Sequence, residues 1–278
     1  MNKTNKIALV GYGYWGKILH KNIMDLGFSE VDIFDDVVGN THLLDGKYSH
    51  YIIATPFQTH HQVIKKIAAY GSKKIWCEKP LVESLKEAKE VYAICDSNDN
   101  SLFVDWVYAY NPAIDFLADF LSGKQLKQVI LNRTNNGPIR HDCQSTWDLS
   151  SHDLTLLLKI FGHDYSFDFN WNEFSLKTNE DFGSNLSWSY HKGTQIIINS
   201  SWQHLEKNRI SLFITNDDEI VVFDDIKKIV HIGGKTIKDF SHHKSPLHVS
   251  LTTFFENSPK DLQYNRDLTL KITEILEK

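Results

Sequence analysis

The sequence predicts an α/β protein in which a doubly wound parallel sheet comes first and a strand-rich second part follows. Three observations carry this. Over roughly the first hundred residues, short apolar runs alternate with longer stretches of helical period, the grammar of βαβ units. A Gly11-x-Gly13-x-x-Gly16 pattern follows the first apolar run directly and opens the first helical stretch. Near residues 108–111 the period changes, and beyond Gly162 the chain reads as strands joined by short polar turns, an antiparallel meander. Residues 1–108 are therefore expected to form one domain and 109–278 a second.

Strands are expected at Ile7–Val10, Val31–Phe34, Tyr51–Ala54, Lys74–Cys77 and Leu102–Val107. Trp15, Ile18, Leu19, Ile23 and Leu26 make an apolar stripe at helical spacing, closed by Gly27 as a C-terminal cap. Val63, Ile64, Ile67 and Ala68 repeat the pattern ahead of Gly71. Ser84 with Glu87 three residues on reads as a capping box that opens a third helix through Leu85, Ala88, Val91, Tyr92 and Cys95. Further on come a helix from Ile114 to Leu121, a strand near Val129 and a helix from Ser151 to Phe161. Strands follow at Leu186–Tyr190, Gln195–Ser200, Ile210–Thr215, Ile220–Phe223 and Lys228–Ile232, then helices near His248–Phe255 and Asp267–Leu276.

Composition narrows the function. Lys plus Arg number 30 and Asp plus Glu 35, a net charge of −5 with no long run of one sign, so neither nucleic acid nor an anionic membrane has electrostatic support as a partner. Cys77, Cys95 and Cys143 have no C-x-x-C spacing and are odd in number, which indicates neither a disulfide framework nor a metal cage. No apolar run approaches a membrane span or a signal-peptide core. A cytoplasmic chain with small-molecule partners is expected.

Each glycine of the first motif has a physical reason to be there. Gly11 permits a tight turn, Gly13 lets the backbone approach a pyrophosphate, and Gly16 lets helix and strand pack closely. The helix N-terminus behind them offers free N–H groups and a positive dipole end. Asp35 ends the second strand where an acid would accept hydrogen bonds from the adenosine ribose, with Asp36 competing for that role. A carboxylate there repels a 2′-phosphate, so NAD is expected rather than NADP.

Two further constellations carry chemistry. Glu78-Lys79-Pro80 lies just beyond the fourth strand, where open parallel sheets place their ligands, and Pro80 restrains Lys79. In Trp147-Asp148-Leu-Ser-Ser-His152-Asp153, Asp148 and His152 stand about 40° apart on a helical wheel and share a face. A carboxylate could thus orient an imidazole. Leu154, Leu157, Leu158 and Phe161 lie on the opposite side.

These residues, with Ile52-Ile-Ala-Thr55-Pro56-Phe-Gln-Thr-His60 and Tyr110-Asn111-Pro112-Ala113, resemble the glucose–fructose oxidoreductase and inositol dehydrogenase family, Gfo/Idh/MocA. The resemblance implies an N-terminal Rossmann domain and a C-terminal α/β domain with a large, mainly antiparallel open sheet used for homo-oligomer contacts, as a dimer or tetramer. It implies dinucleotide-dependent redox chemistry on sugars, polyols or nucleotide sugars. Tyr14, Trp15, Thr55, Pro56, His60 and Glu78 would join the glycines, Asp35 and Lys79 at the cofactor. Lys79 would be the active-site lysine, and Asp148 with His152 would match the family's Asp-x-x-x-His pair. Thr155 departs from the pattern, standing where many members carry a second acid.

The expected reaction is hydride transfer between a secondary alcohol carbon and nicotinamide C4. His152, whose side chain ordinarily titrates near about 6.5, would take the hydroxyl proton and Lys79 would steady the alkoxide, with the two able to exchange roles as base. Either Asp148 or Asp153 would orient the ring. Asn111, Arg133 and Arg140 are candidates for substrate contact, and no metal is expected. Trp106, Tyr108 and Tyr110 either line the nicotinamide side or close the core. A non-redox enzyme using tightly held NAD and a silent dinucleotide sensor are the alternative functions.

Overall fold

The computed structural model describes residues 6–35, 45–139, 143–162, 167–175, 183–256 and 258–278. They form two units, Met1–Val107 with Ser245–Glu277, and Tyr108–Lys244.

The first unit opens as β1 (Ile7–Val10), α1 (Tyr14–Asp25), β2 (Val31–Phe34), β3 (His50–Ile53), α2 (His60–Ala68), β4 (Lys74–Cys77), α3 (Leu85–Ser97) and β5 (Ser101–Val104). All five strands are parallel, in the order β2-β1-β3-β4-β5. Of the three strands flanked on both sides within this order, β1 and β3 are buried at every residue and β4 at all but Lys74, as continuous apolar runs in a parallel sheet should be. Capping follows local chemistry. Gly27, at φ +92°, ends α1 and donates to Met24 O (2.8 Å), and Ser84 Oγ accepts from Glu87 N (3.2 Å) at the start of α3.

The second unit contains α4 (Pro112–Leu121), β6 (Leu126–Asn136), a π-helical turn (Thr146–Ser150) running into α5 (Ser151–Phe161), and β7 (Glu173–Phe174). After these come β8 (Ser184–His191), β9 (Thr194–Ser201), β10 (Gln203–Thr215), β11 (Ile220–Asp224), β12 (Ile229–Ile232) and β13 (Lys235–Asp239). They make one sheet in the order β13-β12-β11-β10-β6-β9-β8-β7. Here the expected meander needs correction. Strands β10 to β13 do run as successive antiparallel neighbours, but β6 lies between β9 and β10, parallel to the former and antiparallel to the latter. The cause is that only Trp202 separates β9 from β10, too little chain for a hairpin turn; it crosses the end of β6, where Gly137 N donates to Trp202 O (2.6 Å). By contrast β8 and β9 are joined by Lys192 and Gly193, both at positive φ, and do form a hairpin.

The chain ends with α6 (Pro246–Glu256) and α7 (Pro259–Leu276), and these belong to the first unit, whereas the sequence placed everything beyond 108 in the second. The physical reason lies at β5, the edge of the parallel sheet. Asn265 of α7 accepts from Val104 N and donates to Val104 O, both at 2.8 Å, satisfying backbone groups that an edge strand leaves open. Trp106 Nε1 donates to Thr269 Oγ1 (2.8 Å), and Phe28 packs on Phe255 with centroids 4.1 Å apart.

Candidate active site

The glycine loop is shaped by close backbone approaches. Gly11 sits at φ +95°, and a Cβ there would stand 2.7 Å from Ala54 C just after β3; a Cβ on Gly16 would stand 2.1 Å from Gly11 O. Gly13 has nothing within 4 Å of its would-be Cβ, so the approach over the start of α1 is open. The first turn of α1 carries neither an acid nor a side-chain cap, leaving its N–H groups and dipole end to an anion. Tyr14 is exposed and Trp15 half-buried beside it. Just past β2 the exposed Asp35 accepts from Tyr12 N (3.0 Å), which ties the acid to the same loop. Asp36 lies outside the described residues.

Beyond β3, Thr59 Oγ1 donates to Thr55 Oγ1 (2.7 Å), and Pro56 is exposed. His60 is buried, with Nδ1 3.0 Å from Pro80 O and Nε2 3.0 Å from Thr55 O. Its ring therefore braces the Thr55 loop against the Lys79-Pro80 segment. Glu78 and Lys79 are half-buried just past β4, with the Glu78 carboxylate accepting from Lys79 N (3.2 Å).

In the second unit, Asp148 lies on the π-helical turn and His152 in the first turn of α5. Asp148 Oδ2 accepts from the buried Trp202 indole (3.0 Å), an interaction the sequence did not suggest. His152 packs its ring on Tyr108, centroids 5.0 Å apart. Of the two acids offered as its orienting partner, Asp153 is committed elsewhere: buried with Arg133, it accepts from Nε (3.0 Å) and Nη2 (2.8 Å). Arg133 also donates to Tyr108 Oη (2.7 Å), and Tyr108 donates to Asp225. Burial pushes the Tyr108 phenol up to about 12, so it remains a neutral donor despite the opposing Arg133 charge.

Two of the expected substrate contacts are thus turned inward. Arg133 is 3% exposed in this network, and Asn111, also buried, caps α4 by accepting from Ala113 N (3.0 Å). Arg140 lies outside the described residues. Trp106 and Tyr108 are buried within their units. Sequence spacing gives no sign of Glu173, which accepts from Thr146 N (2.9 Å) and Ser145 Oγ (3.0 Å) at the start of the turn bearing Asp148. Burial raises its carboxyl to about 7 against those two hydrogen bonds. Among the described residues no cluster of His, Cys, Asp and Glu is suited to a metal ion, and no helix is long and apolar enough to cross a membrane.

Residues 28–106 match the family GFO_IDH_MocA, an oxidoreductase family with an NAD-binding Rossmann fold. No curated protein sequence matches the chain. Among solved structures it is similar to the UDP-N-acetylglucosamine 3-dehydrogenase GnnA of Acidithiobacillus ferrooxidans, at 17% identity over 98% of both chains with a TM-score of 0.80. It is also similar to GenD2 of gentamicin A biosynthesis in complex with NAD, at 16% identity over 100% of this chain and 94% of that one, TM-score 0.79. An inositol dehydrogenase homolog complexed with NAD+ from Azotobacter vinelandii is 13% identical over 99% and 89% of the two chains, TM-score 0.73. At these identities the likeness is one of fold. The family model that residues 28–106 match is thus the one that the chain's motifs resemble.

Proposed function

We propose that this protein is an NAD-dependent oxidoreductase moving a hydride between nicotinamide and a secondary alcohol or ketone carbon of a sugar, polyol or nucleotide sugar. The observation that carries the reading is the glycine loop: Gly13 open above an uncapped helix N-terminus, with the Asp35 carboxylate fastened to Tyr12 N beside it. That arrangement suits a pyrophosphate and a ribose with a free 2′-hydroxyl, and disfavours a 2′-phosphate.

When bound, NAD supplies the hydride acceptor or donor. The remaining work falls to the chain's own groups. Backbone N–H groups at the start of α1 hold the pyrophosphate, and Asp35 accepts from the ribose. A ring nitrogen of His152 takes the substrate hydroxyl proton, and the Lys79 ammonium steadies the oxygen that loses it. Asp148, fixed by Trp202, and Tyr108, fixed by Asp225 and Arg133, keep the His152 helix turn in one arrangement. The GnnA and inositol dehydrogenase likenesses support a sugar or nucleotide sugar as substrate. A cytoplasmic homo-oligomer, dimer or tetramer, is part of the reading. Leu186, Trp188 and Tyr190 on β8 are 44, 49 and 73% exposed and offer the surface for a second copy.

The test is titration of cofactor-stripped protein with NADH and NADPH, followed by absorbance at 340 nm with sugars and nucleotide sugars. Preference for NADH, lost in Asp35→Ala, is the expected result. Binding of neither nucleotide would sink the reading.

A further inference from the structure

Cross-strand register in the second unit lines up a row of polar side chains along the turn that carries Asp148 and His152. Glu173 of β7 stands opposite Asn185 of β8, Asn185 opposite Ser200 of β9, and Ser200 opposite Arg133 of β6. Asn185, Ser200 and Arg133 are buried, whereas the neighbouring row on the same face, Ser187, Ile198 and Leu131, is mostly apolar. Each member of the polar row meets the turn in sequence order. The Glu173 carboxylate accepts from Ser145 Oγ (3.0 Å) and Thr146 N (2.9 Å). Asn185 Nδ2 donates to Ser150 Oγ (3.2 Å), Ser200 Oγ lies 2.9 Å from the same hydroxyl, and Arg133 Nε donates to Asp153 Oδ1 (3.0 Å). Asp148 and His152 both fall between the first and the last of these contacts.

Buried polar groups must find partners to offset their desolvation, so such a row adds less stability than well-packed apolar side chains. What it adds is placement: apolar packing is non-directional, while hydrogen bonds fix distance and angle. The turn it holds is π-helical, a rare geometry, and its opening N–H groups have no partner within the helix. Glu173 supplies one for Thr146. We infer that this row is a seat that positions Asp148 and His152, with the Glu173 carboxylate holding the start of the turn while Asn185 and Ser200 hold its finish. Glu173 is then a positioning residue, acting through the backbone of the turn. The inference rests on the oxidoreductase reading of His152. Misplacing a reacting group by about 1 Å can cost about 10²-fold in rate, which is the scale on which a seat of hydrogen bonds bears on turnover.

The experiment uses the full chain at one fixed pH, with 13C-labelled histidine and 15N-labelled tryptophan. The His152 ring signals and the indole N–H of Trp202, which donates to Asp148, are assigned by their loss in His152→Ala and Trp202→Phe. Glu173→Ala should shift both signals and speed exchange of the indole proton. Glu173→Gln keeps an acceptor for Thr146 N and should leave both signals near their wild-type positions. In turnover, Glu173→Ala should lower kcat by about 10- to 100-fold with KM and NADH affinity within about twofold, and Glu173→Gln should recover kcat to within about threefold of wild type. A role confined to folding would move the urea midpoint and leave kcat of the folded protein as it was. Ser150→Ala removes the contact at the other end of the turn and should shift the same signals, which keeps the test decisive if Glu173→Ala does not fold. Signals unmoved in both variants, or moved with kcat unchanged, overturn the inference. The spectra need neither cofactor nor substrate. A wild type silent at 340 nm whose His152 and Trp202 signals still respond to Glu173→Ala would count against the oxidoreductase reading alone.

Discussion

The two units present their functional groups by different physical means. In the first, what the proposed cofactor would meet is mostly backbone: the Gly11–Gly16 turn, the open N-terminus of α1, and one exposed carboxylate fastened to the loop by Tyr12 N. In the second, the helix turn bearing Asp148 and His152 rests on a desolvated polar network of Arg133, Asp153, Tyr108, Asp225 and Trp202. A backbone site fails by shape, when a side chain appears where there is no room. A buried charge network fails by imbalance, because removing one member leaves another charge out of water without its partner.

That contrast can be broken by mutation, and the largest effect is expected at His152, the proposed proton acceptor. His152→Ala should lower kcat by about 10²- to 10⁴-fold with NADH affinity unchanged, the range for removing a general acid–base group. Steady-state rates beside NADH titration check this, and an unchanged kcat would remove His152 from the mechanism. Arg133→Leu should destabilise the protein by about 3–5 kcal/mol in urea, the cost of stranding a buried ionic partner, here Asp153. Gly16→Ala should cost about 1–3 kcal/mol and weaken NADH binding together, since the new methyl must displace the carbonyl of Gly11.

Acidity sharpens the comparison further, with smaller effects of opposite sign. His50, in the first unit, has its pKa lowered to about 4, by burial first and the Lys74 charge second. The unfolded chain therefore binds the extra proton between about 6.5 and 4, and stability falls as pH drops through that window. Glu173, in the second unit, is raised to about 7, so its contribution is fully present below the ordinary carboxyl range and is lost as pH rises through 7. His50→Gln should flatten the acid side of the stability profile, and Glu173→Gln the neutral side. Urea midpoints from pH 4 to 8 for both variants against wild type would show it; slopes of the same sign would refute the assignment.

What the sequence disclosed follows the same division. The glycine turn, Asp35, the Ser84 cap and the Glu78-Lys79-Pro80 corner are built from short stretches of chain, and local spacing suffices to find them. Trp202 donates to Asp148 across 54 residues, and Ser250 to Asp105 across 145, distances over which periodicity carries no information. Arg133 is instructive for another reason. It lies on β6 in the same parity as Val129 and Leu131, both fully buried, so strand alternation already points it inward. Its charge type suggests a ligand contact, and the alternation is the better guide.

The return of α6 and α7 to the first unit has a temporal consequence. A ribosome releases β1 to β5 first, yet the groups that Asn265, Thr269 and Ser250 satisfy on residues 104–106 stay unmet until the last segment emerges. The nascent Rossmann sheet must wait, one edge open, while all of Tyr108–Lys244 is synthesised, and the second unit has the whole of its sequence available to fold before the first is complete.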